Sequence, residues 1–193
     1  MNPTAADAVR LLGTSSSAQP AKDFPRDVDE VSTPGLYAWR VDDAGLATVS
    51  APFDSTLPSL IYAGQAGAAS TRTGKVGSAT LLSRINGNHL RGNVGSSTFR
   101  KTLTAVLLEP LGLRLAGPSK LSAASNELLS EWMRAHLAVA VVSCPERVTL
   151  AALEHDVLAE LDPPLNLQGM NHSGVRSELR LLRKRLAHWE GEV

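Results

Sequence analysis

Two short apolar runs constrain this chain most: Leu36-Tyr37-Ala38-Trp39 continuing to Val41, and Leu60-Ile61-Tyr62-Ala63-Gly64. Thr33-Pro34-Gly35 opens the first, and the turn-prone Asp42-Asp43-Ala44-Gly45 and Pro52 separate it from the second. The two therefore read as antiparallel strands joined by a loop of moderate length. Each run holds one of the two tyrosines in the chain. A third run, residues 137–142, is apolar without interruption, the pattern of a buried strand that completes a small sheet.

Helical spacing fills most of the remainder. Residues 80–90 carry Leu81, Leu82 and Ile85 on one side, with Gly87 weakening the second half. Ser96-Ser97-Thr98 offers caps for a helix over residues 99–108, and Arg100 and Lys101 in its first turn oppose the helix dipole, so that a nearby anion would help. Further helices are expected over residues 123–136, over 149–161 before Pro163-Pro164, and over 175–189, where Val175, Leu179, Leu182, Leu186 and Trp189 form an apolar stripe. The opposite side of that last helix carries Arg176, Arg180, Arg183 and Lys184 and reads as solvated. The expected class is α/β (α+β): a small, mainly antiparallel three-stranded sheet flanked by several helices. Residues 1–30 read as a partly flexible extension, 31–170 as the domain, and 171–193 as a C-terminal amphipathic helix packed on it.

With 193 residues and 43% hydrophobic content, the chain suffices for one well-packed domain. No apolar run reaches the roughly 18 residues of a membrane span, and the first twenty residues lack a signal-peptide pattern. One cysteine, Cys144, excludes an intrachain disulfide and a cysteine-rich zinc site. A soluble, cytoplasmic protein is expected. Net charge is zero, yet residues 55–108 contain no Asp or Glu, while Arg72, Lys75, Arg84, Arg91, Arg100 and Lys101 supply six positive charges. A basic stretch of that length suits a surface that meets phosphates.

Few side chains are placed for chemistry. Leu150, Leu158 and Leu161 flank Glu154 at helical spacing, which puts its carboxylate on an apolar stripe; there it must pair with a cation, bind a metal or hold a proton. Two prolines stiffen the approach to Asn166, a residue suited to steadying a phosphate, a water or loop backbone. Arg84 donates in the planar fork that phosphates favour. Five residues on, His89 can relay a proton or bind phosphate.

In order along the chain these features resemble the GIY-YIG nuclease family: Gly35-Leu36-Tyr37, then Tyr62-Ala63-Gly64, Arg84 on a helix, Glu154 on a later helix, and Asn166. The resemblance covers about residues 33–170. It implies that Tyr37 and Tyr62 are the motif tyrosines, Arg84 the catalytic arginine, Glu154 the sole protein ligand of a divalent metal (Mg²⁺ or Mn²⁺), and Asn166 a supporting residue. His89, Ser96-Ser97-Thr98-Phe99-Arg100 and Pro163-Pro164-Leu165-Asn166-Leu167 look like the restriction-endonuclease branch. On a regular helix, however, the neighbour of Arg84 is i+4, which leaves Asn88 or His89 for the histidine's role. Arg72, Lys75, Arg91, Arg100 and Lys101 are the expected nucleic-acid contacts.

Other enzyme templates fail. Ala69 stands where a phosphate-binding loop ending at Gly74-Lys75 needs its first glycine, and Val76 where it needs Ser or Thr; no nucleophile elbow, zinc helix or dinucleotide fingerprint occurs. The resemblance implies one-metal hydrolysis of DNA phosphodiesters in restriction, phage defence or a mobile element. A nucleic-acid-binding or regulatory module on the same fold, without catalysis, is the alternative. A palindromic target would call for a homodimer.

Overall fold

The computed structural model describes residues 2–69 and 77–188. In chain order its regular elements are α1 (Ala5–Gly13), β1 (Gln19–Pro20), α2 (Val28–Val31), β2 (Gly35–Val41), α3 (Asp43–Ser50), β3 (Leu60–Ala66), a π-helical segment (Ser83–Leu90), α4 (Thr98–Leu107), β4 (Leu115–Gly117), β5 (Lys120–Leu121), α5 (Ala123–His136), β6 (Leu137–Ser143), α6 (Leu150–Leu161) and α7 (Gly174–Ala187), with short 3₁₀ turns near β1. β1, β6, β2 and β3 form one antiparallel sheet in that order, and β4 and β5 a separate pair.

Helices cover both faces of the four-stranded sheet. On one face Tyr37, Trp39, Val41 and Val139 pack against Leu81 and Ile85, Phe99 and Leu103 of α4, Leu129 and Met133 of α5, and Leu179 and Leu186 of α7. On the other, Leu36, Ala38, Ala63 and Val142 pack against Ala8 and Leu12 of α1 and Leu150 and Val157 of α6. The alternation of β2 sorts its side chains between these two cores. Cys144 is buried in the second. Among the described residues no helix is long and apolar enough to cross a membrane.

The mixed α/β class and antiparallel sheet are as expected, with three differences. The sheet has a fourth strand, β1, whose two residues, one a proline, are too few to leave a periodic pattern. Asp43–Ser50 form a helix instead of a loop: Asp42 accepts the Gly45 N–H at 2.7 Å and serves as N-cap, a use of aspartate that looks the same as a turn in sequence. The expected N-terminal extension is built into the fold, since Thr4 and Asp7 close a capping box on α1 and Ala8 and Leu12 are fully buried.

Candidate active site

β2 and β3 set the two tyrosines. Their register pairs Tyr37 with Gly64 and Trp39 with Tyr62, so the tyrosines project from one face as diagonal neighbours. A Cβ on Gly64 would lie 2.8 Å from Tyr37 Oη, so the glycine is the space in which the phenol lies. Tyr62 packs on Phe99, ring centroids 4.7 Å apart.

The segment expected as an ordinary helix over residues 80–90 winds as a π-helix from Ser83, and the Arg91 N–H reaches Asn86 O at 3.0 Å, an i→i+5 bond. This wider turn brings i+5 round towards the face that i+4 shares in an α-helix. His89, and not Asn88, meets the tyrosine: its Nε2 lies 2.9 Å from Tyr37 Oη and its Nδ1 2.7 Å from Ser97 Oγ. The run Ser97 to Arg100 is built around this ring. Ser97 caps α4 and bonds the imidazole, Phe99 meets it edge-on at 5.6 Å, and Arg100 Nη1 donates to His89 O at 2.9 Å. Burial and the nearby Arg84 and Arg100 charges push the His89 pKa down to about 3, so the ring is neutral at physiological pH.

Arg84 is the positive charge that acts on the whole cluster, opposing the proton affinity of Tyr37, Tyr62 and Glu154 as well as that of His89. Its Nε is buried and has no hydrogen-bond partner among the described residues. Burial pushes Glu154 up to about 7 against the pull of Arg84. Burial also raises Tyr62 to about 12 and Tyr37 well above its ordinary value, with the Glu154 charge adding to both.

Asn166 works through backbone. Its Oδ1 accepts the Ala63 N–H at 3.0 Å and its Nδ2 donates to Ala63 O at 2.8 Å, while the Leu165 N–H donates to Ile61 O at 3.0 Å. The Pro-Pro-Leu-Asn segment thus closes the free edge of β3 beside Tyr62.

A family model described as the GIY-YIG catalytic domain matches residues 35–185, beginning at the first residue of β2. The chain belongs to the GIY-YIG family. No curated protein and no solved structure matches it. Membership implies nuclease chemistry, and the match runs past residue 170 into α7. The residues that carried the resemblance stand in the geometry just described: Tyr37 on a central strand, Tyr62 and Gly64 on the edge strand, Arg84 on the π-helical segment, and Glu154 on α6.

A cleft of about 590 Å³ opens at this GIY-YIG cluster, lined by Tyr62, Glu154, Asn166, Gln168, Thr98 and Arg183 among others. Among the described residues no three His, Cys, Asp or Glu side chains converge. A half-buried carboxylate whose proton is held by desolvation fits a hard divalent cation that takes one protein oxygen and keeps its waters.

The expected nucleic-acid contacts divide. Arg91 is exposed and Lys101 partly buried, while Arg72 and Lys75 lie outside the described residues. Arg100 is not a surface cation. It is fully buried, and besides His89 O it reaches Asn126 O and Oδ1 at 2.9 and 2.8 Å and Ser130 Oγ at 3.0 Å, while burial brings its pKa down to about 10. The dipole conflict in the first turn of α4 is thus answered by carbonyls of other elements. Two residues on the expected solvated side of α7 also have structural surroundings. Arg176 is 2% exposed and donates to Asn166 O at 3.0 Å, Pro163 O at 3.1 Å and Asp162 Oδ1 at 2.6 Å, clamping the loop that holds Asn166. Its one signal in sequence is its place three residues before Leu179, at the border of the apolar stripe. Arg183 lines the cleft.

Proposed function

We propose that this protein is a metal-dependent DNA endonuclease that hydrolyses phosphodiester bonds with a single divalent ion, Mg²⁺ or Mn²⁺, held by Glu154. The observation that carries this reading is the half-buried Glu154 carboxylate, countered by Arg84 alone among the described residues and opening on the same cleft as Tyr62. Bound to Glu154, the ion would supply Lewis-acid charge to the phosphate and acidify nearby hydroxyls.

The chain's own residues do the rest. Arg84, whose positive charge already acts on Tyr37, Tyr62 and Glu154, stabilises the negative charge that builds on the phosphate. Tyr37 orients the attacking water through a hydroxyl fixed by His89. His89, held neutral by burial, aligns that hydroxyl and does not store its proton. Tyr62, on the cleft wall, hydrogen-bonds the substrate phosphate or its water. Asn166 keeps the β3 edge, and with it Tyr62, in place.

We read its role as restriction, phage defence or a mobile element; the resemblance to the restriction branch supports this, and Ser97, Phe99 and Arg100, which carry that resemblance, all contact the His89 that meets Tyr37. Supercoiled and linear DNA incubated with the protein in Mg²⁺, Mn²⁺ or EDTA tests the proposal. Nicking or cutting in either metal and none in EDTA is expected; equal cutting in EDTA would overturn metal dependence.

A further inference from the structure

Four basic residues stand on the polar side of α7, and the fold gives them three different environments. Arg176 is buried in the clamp on residues 162–171. Arg180 and Lys184 are exposed. Arg183 is half-buried on the wall of the cleft that also holds Tyr62, Glu154 and Asn166, and its guanidinium makes no hydrogen bond or ion pair with any described residue.

A guanidinium that has lost part of its hydration without gaining an acceptor is costly to hold. Burial accordingly weakens the hold of Arg183 on its proton, and the neighbouring Tyr62 acts the other way. An anion entering the cleft supplies the acceptor that none of the described residues provides. Arg84 does not line this cleft, and its Nε is buried. The two arginines come from different elements, α7 and the π-helical segment, and both act on Tyr62 through their charge, but only Arg183 of the two stands on the cleft wall. Gln168 and Thr98, both exposed on the cleft wall, add neutral donors beside Arg183. A chain of phosphates is the ligand that offers one anion to each arginine.

We infer that Arg183 binds a backbone phosphate of the nucleic-acid strand lying in the cleft, at a subsite separate from the phosphate that Arg84 meets. The inference rests on the nuclease reading above. It makes α7 part of the substrate site as well as part of the core.

The test is the salt dependence of binding to a fluorescein-labelled duplex of mixed sequence, measured in EDTA for wild type, Arg183→Gln and Arg183→Lys, together with steady-state cleavage in Mg²⁺. Loss of one phosphate contact lowers the slope of log K against log salt by about 0.9, so between about 50 and 200 mM salt the wild type loses about 3.5-fold more affinity than Arg183→Gln. Arg183→Lys keeps the charge and keeps the slope. In cleavage, Arg183→Gln raises KM with kcat little changed, as expected for uniform binding of a non-reacting phosphate. Arg10→Gln, on α1 at the other face of the sheet, is the control and leaves slope and KM unaltered. Unfolding midpoints equal to wild type show that the variants fold. Wild-type protein that binds and cuts DNA while Arg183→Gln retains the full slope and KM overturns the subsite alone. Wild-type protein that neither binds nor cuts overturns the nuclease reading and the subsite with it.

Discussion

Replacing Glu154 by glutamine removes a charge that the fold holds at a cost, and that cost depends on pH in a calculable way. In the metal-free protein, burial lifts the carboxyl from 4.5 to about 7. Between those values the folded protein keeps a proton that the unfolded chain has released, so stability falls as pH rises through the window. At about 1.4 kcal/mol per pH unit the loss is about 3 kcal/mol above pH 7 and vanishes below pH 4.5. Glutamine is nearly isosteric and has no such dependence. Urea unfolding in EDTA should therefore find wild type and Glu154→Gln alike near pH 4, and the variant about 3 kcal/mol more stable at pH 8. Taking the difference between the two proteins cancels the titration of every other group. Mg²⁺ should narrow the gap by stabilising only the wild type, by about 2.7 kcal/mol at a hundred times its Kd. A difference that does not change with pH, or a variant less stable at pH 8, would show that Glu154 sits in a compensating ion pair and not in a desolvated site awaiting a cation.

Three further outcomes follow from the same geometry. The apparent affinity for Mg²⁺, followed by calorimetry, should fall about tenfold per pH unit below pH 7, where a proton occupies Glu154, and level off above it; a flat profile would contradict the raised carboxyl. Gly64→Ala puts a methyl group 2.8 Å from Tyr37 Oη and should lower the cleavage rate by about 100-fold through displacement of the phenol from His89, whereas full activity would mean that the Tyr37–His89 pair is not used. Arg100→Leu leaves buried carbonyls of His89 and Asn126 without their donor and should destabilise by about 3 kcal/mol or more, against less than about 0.5 for Arg91→Gln; a stable Arg100→Leu protein with weakened DNA binding would restore Arg100 to the surface role its sequence position suggests.

How much of this was legible in sequence depends on the range of the interaction. β2, β3 and β6 show because each buries side chains of its own at period two or without interruption, and α4, α5 and α6 show because their stripes and caps are local. The π-helical segment does not, since Leu81 and Ile85 anchor it with the spacing an α-helix would use. That is why i+5 looked wrong for His89. Glu154 was legible through Leu150 and Leu158, whereas the arginines were not. Arg100, Arg176 and Arg183 are alike in sequence, and what separates them is whether distant carbonyls converge on the guanidinium: Asn126 for Arg100, residues 162–166 for Arg176, and none among the described residues for Arg183. Only tertiary structure supplies that information. The role of Asn166 was half legible, because its prolines announced a rigid approach but not the edge strand it would cap.

Single-turnover cleavage of duplex DNA at saturating Mg²⁺, comparing wild type with Glu154→Ala at pH 8, decides whether Glu154 carries the reaction. The wild type should cut, and the variant, folded and still binding DNA, should lose at least about 1,000-fold in rate, the scale on which removal of a key group at the reacting centre is felt. A variant that cuts as fast as wild type would remove Glu154 from the chemistry. A wild type that binds unmodified, modified and branched duplexes and cuts none would make the protein a non-catalytic DNA-binding module on the GIY-YIG fold.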